Sequence, residues 1–496
     1  MSLLRKLASQ TAVYGLSSVL GRTLNYLLVP LYTSVFAPGE YGIVTELYAY
    51  VAFLNILYIY GLETAYFRFV SKSDPQNTFN IAFTSILVTS IAFSGIIFYL
   101  SEEIAQILQY PEKRNFIRWM ALILSIDAIV AIPFAKLRQE GKAASFAIFK
   151  LSNISLNIGL NLFFLVFCPW ILSDNPNHFL SAFFNPNLGV GYVFLSNLMA
   201  NAVYILFFIP TWIKVRLTFK SAEWRRMMTY AWPILIIGFA GVTNEMLSRA
   251  ILKYRLPEGF YDGLSNIEIL GIFGACYKLS IFMTLAVQAF RYAFEPFFFA
   301  KAADKNSPEL FSKIMTWFVI FTSFSWLLIT AFLPWIGPIF LRQESYLQAL
   351  SAVPWLLGGG LFLGIFYNLS LWYKLTDKTK YGAVISVAGA AVTLLLNWVL
   401  IPRFGYMGSA YATFASYTSM VIISYLWGKK HYPVPYNLGK IFTYLGLAGL
   451  GVEVNSQFQE SILSATLVVL IFLTLAFLFE RSAFLSQRVS SEKHDS

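Results

Sequence analysis

Several charged side chains fall inside long apolar stretches of this 496-residue sequence. An ionisable side chain at bilayer depth costs at least about 2.5 kcal/mol on insertion scales, so it should face a protein interior or a watery cavity. Three of these side chains are cations, Arg22, Arg249 and Lys278, and two are carboxylates, Glu46 and Asp127. The pattern therefore predicts a cavity within a membrane that is lined mostly by cationic side chains.

The cations leave two interpretations open. Glu245 and Arg249 are four residues apart and share a helix face, so they could form an internal ion pair that leaves Arg249 partly occupied. Arg22 and Lys278 have no opposite charge within one turn of their own helix, which favours a role in the cavity.

Each of the two carboxylates also has two possible roles. Asp127 either neutralises a cavity cation across the interior or is a lone carboxyl suited to carry a coupling proton. Glu46 either lies at the water interface or is the next candidate for ion coupling. The coupling ion in this interpretation is H+ or Na+.

A stripe of asparagines is the second polar feature. Asn153, Asn157 and Asn161 recur every four residues and so follow one face of a helix. Such amides either make ordinary interhelical hydrogen bonds or face a substrate cavity. Asn25 lies about one turn after Arg22. We take Asn25, Asn157 and Asn161 as candidates for substrate binding.

Residues for catalysis or metal binding are sparse. His178, His431 and His494 show no metal-ligand spacing, and Cys168 and Cys276 lie in apolar stretches with no Cys or His partner nearby in the sequence. The sequence has no Gly-rich phosphate loop and no nucleophile elbow. We therefore predict a protein that is not an enzyme and that needs no metal and no cofactor.

Composition assigns these residues to an all-α polytopic membrane protein. Apolar residues make up 57% of the chain and charged residues 12%, against roughly 45–50% and about 25% in soluble domains. This excludes a cytosolic enzyme, a secreted disulfide scaffold and a disordered tail. A bilayer core about 30 Å thick needs about 20 mostly apolar residues per helix. Fourteen helices are predicted, at approximately 11–35, 42–63, 79–100, 116–137, 147–168, 188–212, 228–250, 268–290, 312–333, 347–372, 381–401, 406–427, 438–452 and 461–479.

The distribution of basic residues predicts the orientation. The net charge is +11, and most of the 36 Lys and Arg residues fall in the two terminal segments and in alternate loops. Cytoplasmic loops carry such an excess. We therefore predict that both termini and the loop Thr376 to Lys380 are cytoplasmic, with the loop Ser173 to Pro186 outside. Topology accounts for the basic charge without nucleic-acid binding.

Two short matches indicate an internal repeat. The segment from Lys136 to Lys142 resembles that from Lys374 to Lys380, and Tyr41-Gly42-Ile43 resembles Leu270-Gly271-Ile272. Parallel repeats of this kind occur in secondary transporters, where the substrate path runs between the halves. The predicted domains are two parallel six-helix lobes over 1–220 and 221–432, two C-terminal helices over 433–480 and a cytoplasmic tail over 481–496.

Three stretches resemble the polysaccharide-export flippases of the multidrug/oligosaccharidyl-lipid/polysaccharide (MOP) superfamily. They are Val29 to Gly42 at the end of the first helix, Gly271 to Leu279 at the start of the eighth, and Asn397 to Ala410 between the eleventh and twelfth. Together with the fourteen helices and the repeat, the resemblance extends over residues 1 to about 480.

The resemblance implies two lobes around a cationic central cavity, which moves a polyprenyl-pyrophosphate-linked oligosaccharide from the inner to the outer leaflet. In some relatives two extra helices form a groove for the lipid tail. Ser248 precedes Arg249 here, where the family often has an Asp-Arg pair. We therefore predict an alternating-access flippase of the bacterial inner membrane, serving surface polysaccharide or lipopolysaccharide synthesis.

Two other functions remain open. A drug or cation antiporter of the same superfamily should have an anionic cavity and commonly twelve helices, whereas the deep charge here is mostly cationic. A membrane glycan polymerase would need a large outer loop with catalytic residues, but the loop from Pro169 to Asn187 has only one charged residue, Asp174. The predicted partners are lipid-linked oligosaccharide, membrane lipid and a coupling H+ or Na+.

Overall fold

The structure, a computed structural model, describes residues 20, 23–24, 26–301, 307–458 and 461–492. Arg22 and Asn25 lie outside the described residues, as does most of the predicted first span. Contacts divide the chain into two compact units, the first formed by Met1–Tyr254 with Tyr261–Gly271 and the second by Arg255–Phe260 with Ile272–Ser496. The regular elements that the structure describes are helical.

The first unit is built from helices separated by short turns. Its α-helices are α1 Leu28–Val35, α2 Pro38–Ile59, α3 Leu62–Val70, α4 Pro75–Tyr99, α5 Ser101–Ile107, α6 Arg114–Gln139, α7 Ala143–Leu162, α8 Cys168–Asp174, α9 Gly191–Phe207, α10 Ile209–Trp212 and α11 Ser221–Arg255. A π-helical turn, Phe163–Phe167, continues α7 into α8. Short 3-10 turns occupy Pro111–Lys113, Phe179–Ala182 and Pro186–Leu188.

The second unit has the same helical character. Its α-helices are α12 Asn266–Leu279, which begins in the first unit, α13 Ile281–Lys301, α14 Ser307–Ala331, α15 Leu333–Phe340, α16 Val353–Leu369, α17 Leu371–Leu375, α18 Thr379–Phe404, α19 Tyr406–His431, α20 Leu438–Gln457 and α21 Ile462–Glu492. A 3-10 segment, Glu344–Ala352, precedes α16.

Local sequence explains where several helices begin and end. Asp74 caps α4, because its carboxylate accepts hydrogen bonds from the backbone N–H groups of Gln76 and Asn77. Gly61, with a φ of +76°, makes the break between α2 and α3. Gly405, with a φ of +58°, separates α18 from α19.

Ten helical segments among the described residues are long and apolar enough to cross a membrane, and α9 is a shorter apolar helix. Every predicted span from the second to the fourteenth coincides with an observed helix. α19 and α20 have 26 and 20 residues and are long enough to span, but they are not among the ten apolar segments. The chain is a multi-pass α-helical membrane protein, which confirms the predicted fold class.

Helix α6 lies at the centre of the first unit. It packs against α2, α4, α7 and α9. Phe134 of α6 contacts the rings of Phe146, Tyr204 and Phe208, with ring centroids 5.0 to 5.4 Å apart. These contacts hold α6, α7 and α9 together, and the same three helices carry most of the polar side chains of the candidate site.

Two glycines allow a close backbone contact in the first unit. A Cβ atom at Gly271 of α12 would collide with the backbone carbonyl of Pro38, and one at Gly42 of α2 would collide with the carbonyl of Ile267. Only glycine fits such an approach. Gly42 and Gly271 are also equivalent positions in the repeat seen in the sequence.

The last two helices pack on α14 within the second unit. Glu480 of α21 is buried, and its carboxylate accepts hydrogen bonds from Lys440 Nζ at 2.7 Å and the Tyr444 hydroxyl at 2.8 Å, both on α20. This group joins α20 to α21. The compact units divide after Tyr254, so α11 packs with the first unit, whereas the repeat predicts a lobe boundary at 220. That lobe boundary stays a prediction.

Cysteine labelling tests the predicted orientation. Cys168 and Cys276 are free and buried, while Asp174 and Lys378 are exposed. With both native cysteines replaced by serine, a membrane-impermeant maleimide on intact cells is expected to label Asp174→Cys and to spare Lys378→Cys. Both variants should react after permeabilisation, which is the control. Labelling of Lys378→Cys on intact cells would contradict the topology.

Candidate functional site

Glu46 of α2 is fully buried and accepts four hydrogen bonds. Tyr50 and Tyr254 donate to Oε1 at 3.2 and 2.6 Å, and Tyr110 and Lys253 donate to Oε2 at 2.5 and 3.2 Å. We call these five residues the Glu46 cluster. The cluster joins α2, the segment after α5 and α11.

The lysine of the Glu46 cluster is buried and also bonds to a group outside the cluster. Lys253 is 6% exposed, and its ammonium group donates a second hydrogen bond to the carbonyl of Leu108 at 2.7 Å. Because Glu46 is 0% exposed and bonds to side chains from two other parts of the chain, it is an anchor between helices rather than a group at a water interface. Its role in ion coupling stays a prediction.

Asp127 of α6 is the centre of a second polar group. Its Oδ1 accepts a hydrogen bond from Asn201 of α9 at 3.0 Å, and Asn201 in turn accepts one from Asn153 of α7 at 2.9 Å. Asp127 is half-buried, and Lys150 of α7 lies close enough to interact with it electrostatically. Asp127 therefore has a cation nearby on a neighbouring helix, although none lies within one turn of its own.

Lys150 is held by aromatic rings. Its ammonium group lies 4.3 Å from the ring centroid of Phe134 and 5.3 Å from that of Tyr204. Such contacts stabilise a cation partly removed from water. Lys150 lies inside the predicted span 147–168 and inside α7, Ala143–Leu162, but its charge was counted with the cytoplasmic ones, so it was not considered for the site.

The asparagine stripe makes bonds between helices. Asn161 is buried, accepts a hydrogen bond from the Tyr32 hydroxyl of α1 at 3.0 Å and donates to the carbonyl of Asn157 at 2.8 Å. Asn153 bonds to α9, as described above. The stripe thus contributes interhelical hydrogen bonds, and binding of sugar by Asn157 and Asn161 stays a prediction.

Arg249 is buried on α11 at 6% exposure. Its Nη2 donates to the backbone carbonyl of Glu245 at 2.7 Å, and Tyr41 lies within electrostatic range. The side chain of Glu245 is exposed. Lys278 lies in the last turn of α12, half-buried, in the second unit. The structure therefore brings Arg249, Glu46 and Asp127 into one unit.

Part of the chain matches a family model, and most of it matches a known membrane protein. The family model described as polysaccharide biosynthesis protein matches residues 35–172. An uncharacterized membrane protein of Methanocaldococcus jannaschii is 21% identical over 447 residues, covering 85% of this chain and 84% of its own.

Solved structures show the same arrangement of helices. The lipid II flippase MurJ in an inward closed conformation superposes with a TM-score of 0.70 at 14% identity, over 95% of this chain and 99% of its own. An inward-facing multidrug resistance MATE family transporter of the MOP superfamily superposes with a TM-score of 0.62 at 14% identity, over 82% and 94%. The chain has the fold of these two proteins. The resemblance drawn from the sequence is confirmed at the level of the fold.

Within this fold, the deep charges of the first unit are unevenly distributed. Glu46 is paired with Lys253, and Asp127 lies near Lys150. Arg249 is a further buried cation. Three cations, Lys150, Arg249 and Lys253, and two carboxylates, Glu46 and Asp127, therefore lie among these deep groups.

Among the described residues, no group of three or more His, Cys, Asp or Glu side chains is arranged so that it could hold a metal ion.

Proposed function

We propose that this protein is a flippase that moves a polyprenyl-pyrophosphate-linked oligosaccharide across a membrane by alternating access. The observation that carries the proposal is the charge arrangement of the first unit. Lys253 and Lys150 accompany the two deep carboxylates, while Arg249 adds a buried cation. A cationic drug needs an available carboxylate, whereas a pyrophosphate needs cations.

The similarities support the same choice. The likeness to the lipid II flippase covers 95% of this chain, whereas that to the multidrug transporter covers 82%. The matching family model carries a polysaccharide-biosynthesis description. A lipid-linked oligosaccharide fits both descriptions, because it is a lipid and also a substrate of polysaccharide biosynthesis.

Individual residues are proposed for three roles. Cations bind the pyrophosphate through charge-assisted hydrogen bonds, asparagines bind sugar hydroxyls, and Asp127 carries a coupling proton. The proposed cations are Arg22, Arg249 and Lys278, and the proposed asparagines are Asn25, Asn157 and Asn161. The proposed setting is a bacterial inner membrane, with the glycan destined for surface polysaccharide or lipopolysaccharide.

Transport in proteoliposomes tests the proposal. A fluorescent polyprenyl-pyrophosphate oligosaccharide in the liposome membrane is expected to become accessible on the opposite leaflet when the protein is present. Arg249→Ala should slow this flipping roughly tenfold, since about 1.4 kcal/mol of lost phosphate binding corresponds to that factor. Arg249→Lys should recover part of the rate, because the charge survives without the planar fork.

The matched control removes a positive charge from the exposed part of the same helix. Arg225 of α11 is exposed, and Arg225→Ala should flip the lipid at the wild-type rate. A wild-type protein that exchanges cationic drugs but leaves the lipid-linked substrate in its original leaflet would contradict the proposal and favour the antiporter.

A further inference from the structure

The chain between α10 and α11 lies along α4, and we call residues 213–220 the linker. Three hydrogen bonds join its backbone to side chains that recur every four residues on α4. They are Gln76 Nε2 donating to the carbonyl of Lys214 at 3.4 Å, the Arg216 N–H donating to Asn80 Oδ1 at 3.4 Å, and the Thr218 N–H donating to Thr84 Oγ1 at 3.3 Å. The side chain of Val215 packs against the apolar core of the first unit. These contacts fix which side of the linker faces the protein.

Three large apolar side chains of the linker remain exposed. Ile213, Leu217 and Phe219 are 79%, 67% and 60% exposed. The described loops 136–142 and 376–380 are also basic and also predicted to be cytoplasmic, but neither has a large apolar side chain among its exposed residues. Topology accounts for basic residues in all three segments. The apolar side chains of the linker indicate a surface that contacts something other than water.

Cations lie beside these apolar side chains. The exposed cations of the linker are Lys214, Arg216 and Lys220. Residues 213–226 contain five basic residues and one acidic residue, Glu223. The Glu223 carboxylate accepts a hydrogen bond from Asn77 of α4 at 2.5 Å and lies 3.8 Å from Lys220. The linker and the start of α11 are therefore a positively charged surface.

The contacts with α4 show where the linker lies relative to a membrane. Helix α4 is long and apolar enough to cross a membrane. The three side chains that bond the linker lie within residues 76–84, the first three turns of this helix. The next helix, α11, also belongs to the segments that are long and apolar enough to cross. The linker is therefore held at the end of a membrane-spanning helix, at the level of the membrane interface.

We propose that the linker docks in the headgroup region of the cytoplasmic leaflet and that this docking requires anionic phospholipid. The apolar side chains enter below the headgroups, and the cations bind the lipid phosphates. The cytoplasmic leaflet carries a negative surface potential that attracts such basic segments. Because the three cations are exposed and spread along the linker, they match a charged surface rather than a single phosphate group.

A fluorescent probe on the linker tests the docking. The full-length protein, with Cys168→Ser and Cys276→Ser, carries an environment-sensitive fluorophore on Leu217→Cys. It is placed in nanodiscs of phosphatidylcholine with or without one third phosphatidylglycerol, together with a lipid that is spin-labelled near its headgroup. Quenching of the fluorophore is expected to be about threefold greater with the anionic lipid, because the cations attract the linker to that surface. High salt should reduce this difference by screening.

The variant that removes the charge combines Lys214→Gln, Arg216→Gln and Lys220→Gln. Its quenching in anionic nanodiscs should fall to the level of pure phosphatidylcholine. The matched control removes three exposed cations from other predicted cytoplasmic segments. It combines Lys378→Gln, Lys380→Gln and Lys430→Gln, and its quenching should equal that of the unsubstituted linker.

Three outcomes would overturn the docking. They are equal quenching in both kinds of nanodisc, a fluorophore that stays in water in both, as expected if the linker instead binds a soluble acidic protein, and full anionic-lipid dependence in the linker variant. Docking is measured without any transport. Its failure would therefore leave the proposed flippase function untouched.

Discussion

Replacement of Lys253 by alanine is expected to remove most of the folded protein. Lys253 and Glu46 are 6% and 0% exposed, and the alanine would leave a carboxylate buried with only tyrosine donors. Breaking a buried ion pair from one side costs about 3–5 kcal/mol, a large share of the roughly 5–15 kcal/mol that stabilises a typical protein. Fluorescence-detected size exclusion and a thermal unfolding curve in detergent measure the loss.

Two further variants make this result interpretable. Combining Lys253→Met with Glu46→Gln removes both charges and should restore much of the yield, because no unpaired charge remains. Arg114 pairs with Glu102 at 3.5 Å, but both side chains are more than half exposed. Arg114→Ala should therefore cost at most about 1 kcal/mol. If Lys253→Ala is as stable as Arg114→Ala, the Glu46 cluster is not an anchor.

Asp127→Asn is expected to abolish the stimulation of flipping by an imposed pH gradient. Asparagine keeps the size of the side chain and can still bond Asn201, but it cannot load and release a proton. Equilibrium binding of the lipid-linked substrate should stay within a few-fold of wild type, because the proposed binding cations are unchanged. Flipping in proteoliposomes with and without the gradient measures the effect.

The variant Lys150→Met is the comparison for Asp127→Asn. Lys150→Met removes the neighbouring charge but leaves the carboxyl of Asp127 able to titrate, so some response to the gradient should persist at a shifted pH. A gradient response that survives in Asp127→Asn would make Asp127 a structural partner of Lys150. The proton would then be carried by another group.

The helices could be predicted from the sequence because hydropathy is a local property. The window at 116–137 corresponds to α6, Arg114–Gln139. The predicted helix at 228–250 ends five residues too early, because α11 ends at Arg255. Charged residues lower the mean hydropathy at a helix end, and so Lys253 was assigned to a loop. Because Lys253 was assigned to a loop, it was not recognised as the cation that pairs with Glu46.

The partners of the deep charges could not be predicted, because they come from distant parts of the chain. Glu46 and Lys253 are 207 residues apart, and Asp127 and Asn201 are 74 apart. Residue type and spacing on one helix therefore identified the deep carboxylates without revealing their lysines. Only the packing of α6 against α7 and α9 places Lys150 and Asn201 beside Asp127.

The contact of α2 with α12 bears on how a chain with the predicted internal repeat can vary. Gly42 and Gly271 are matched positions of that predicted repeat and meet at one backbone contact. In a homodimer of half-length chains, a two-fold axis through such a contact would bring a glycine against its own copy, and one mutation would alter both sides at once. Within a single fused chain the two glycines are separate codons. A substitution at either glycine therefore changes one side of the contact only, while the collisions with the carbonyls of Pro38 and Ile267 oppose a side chain at both positions.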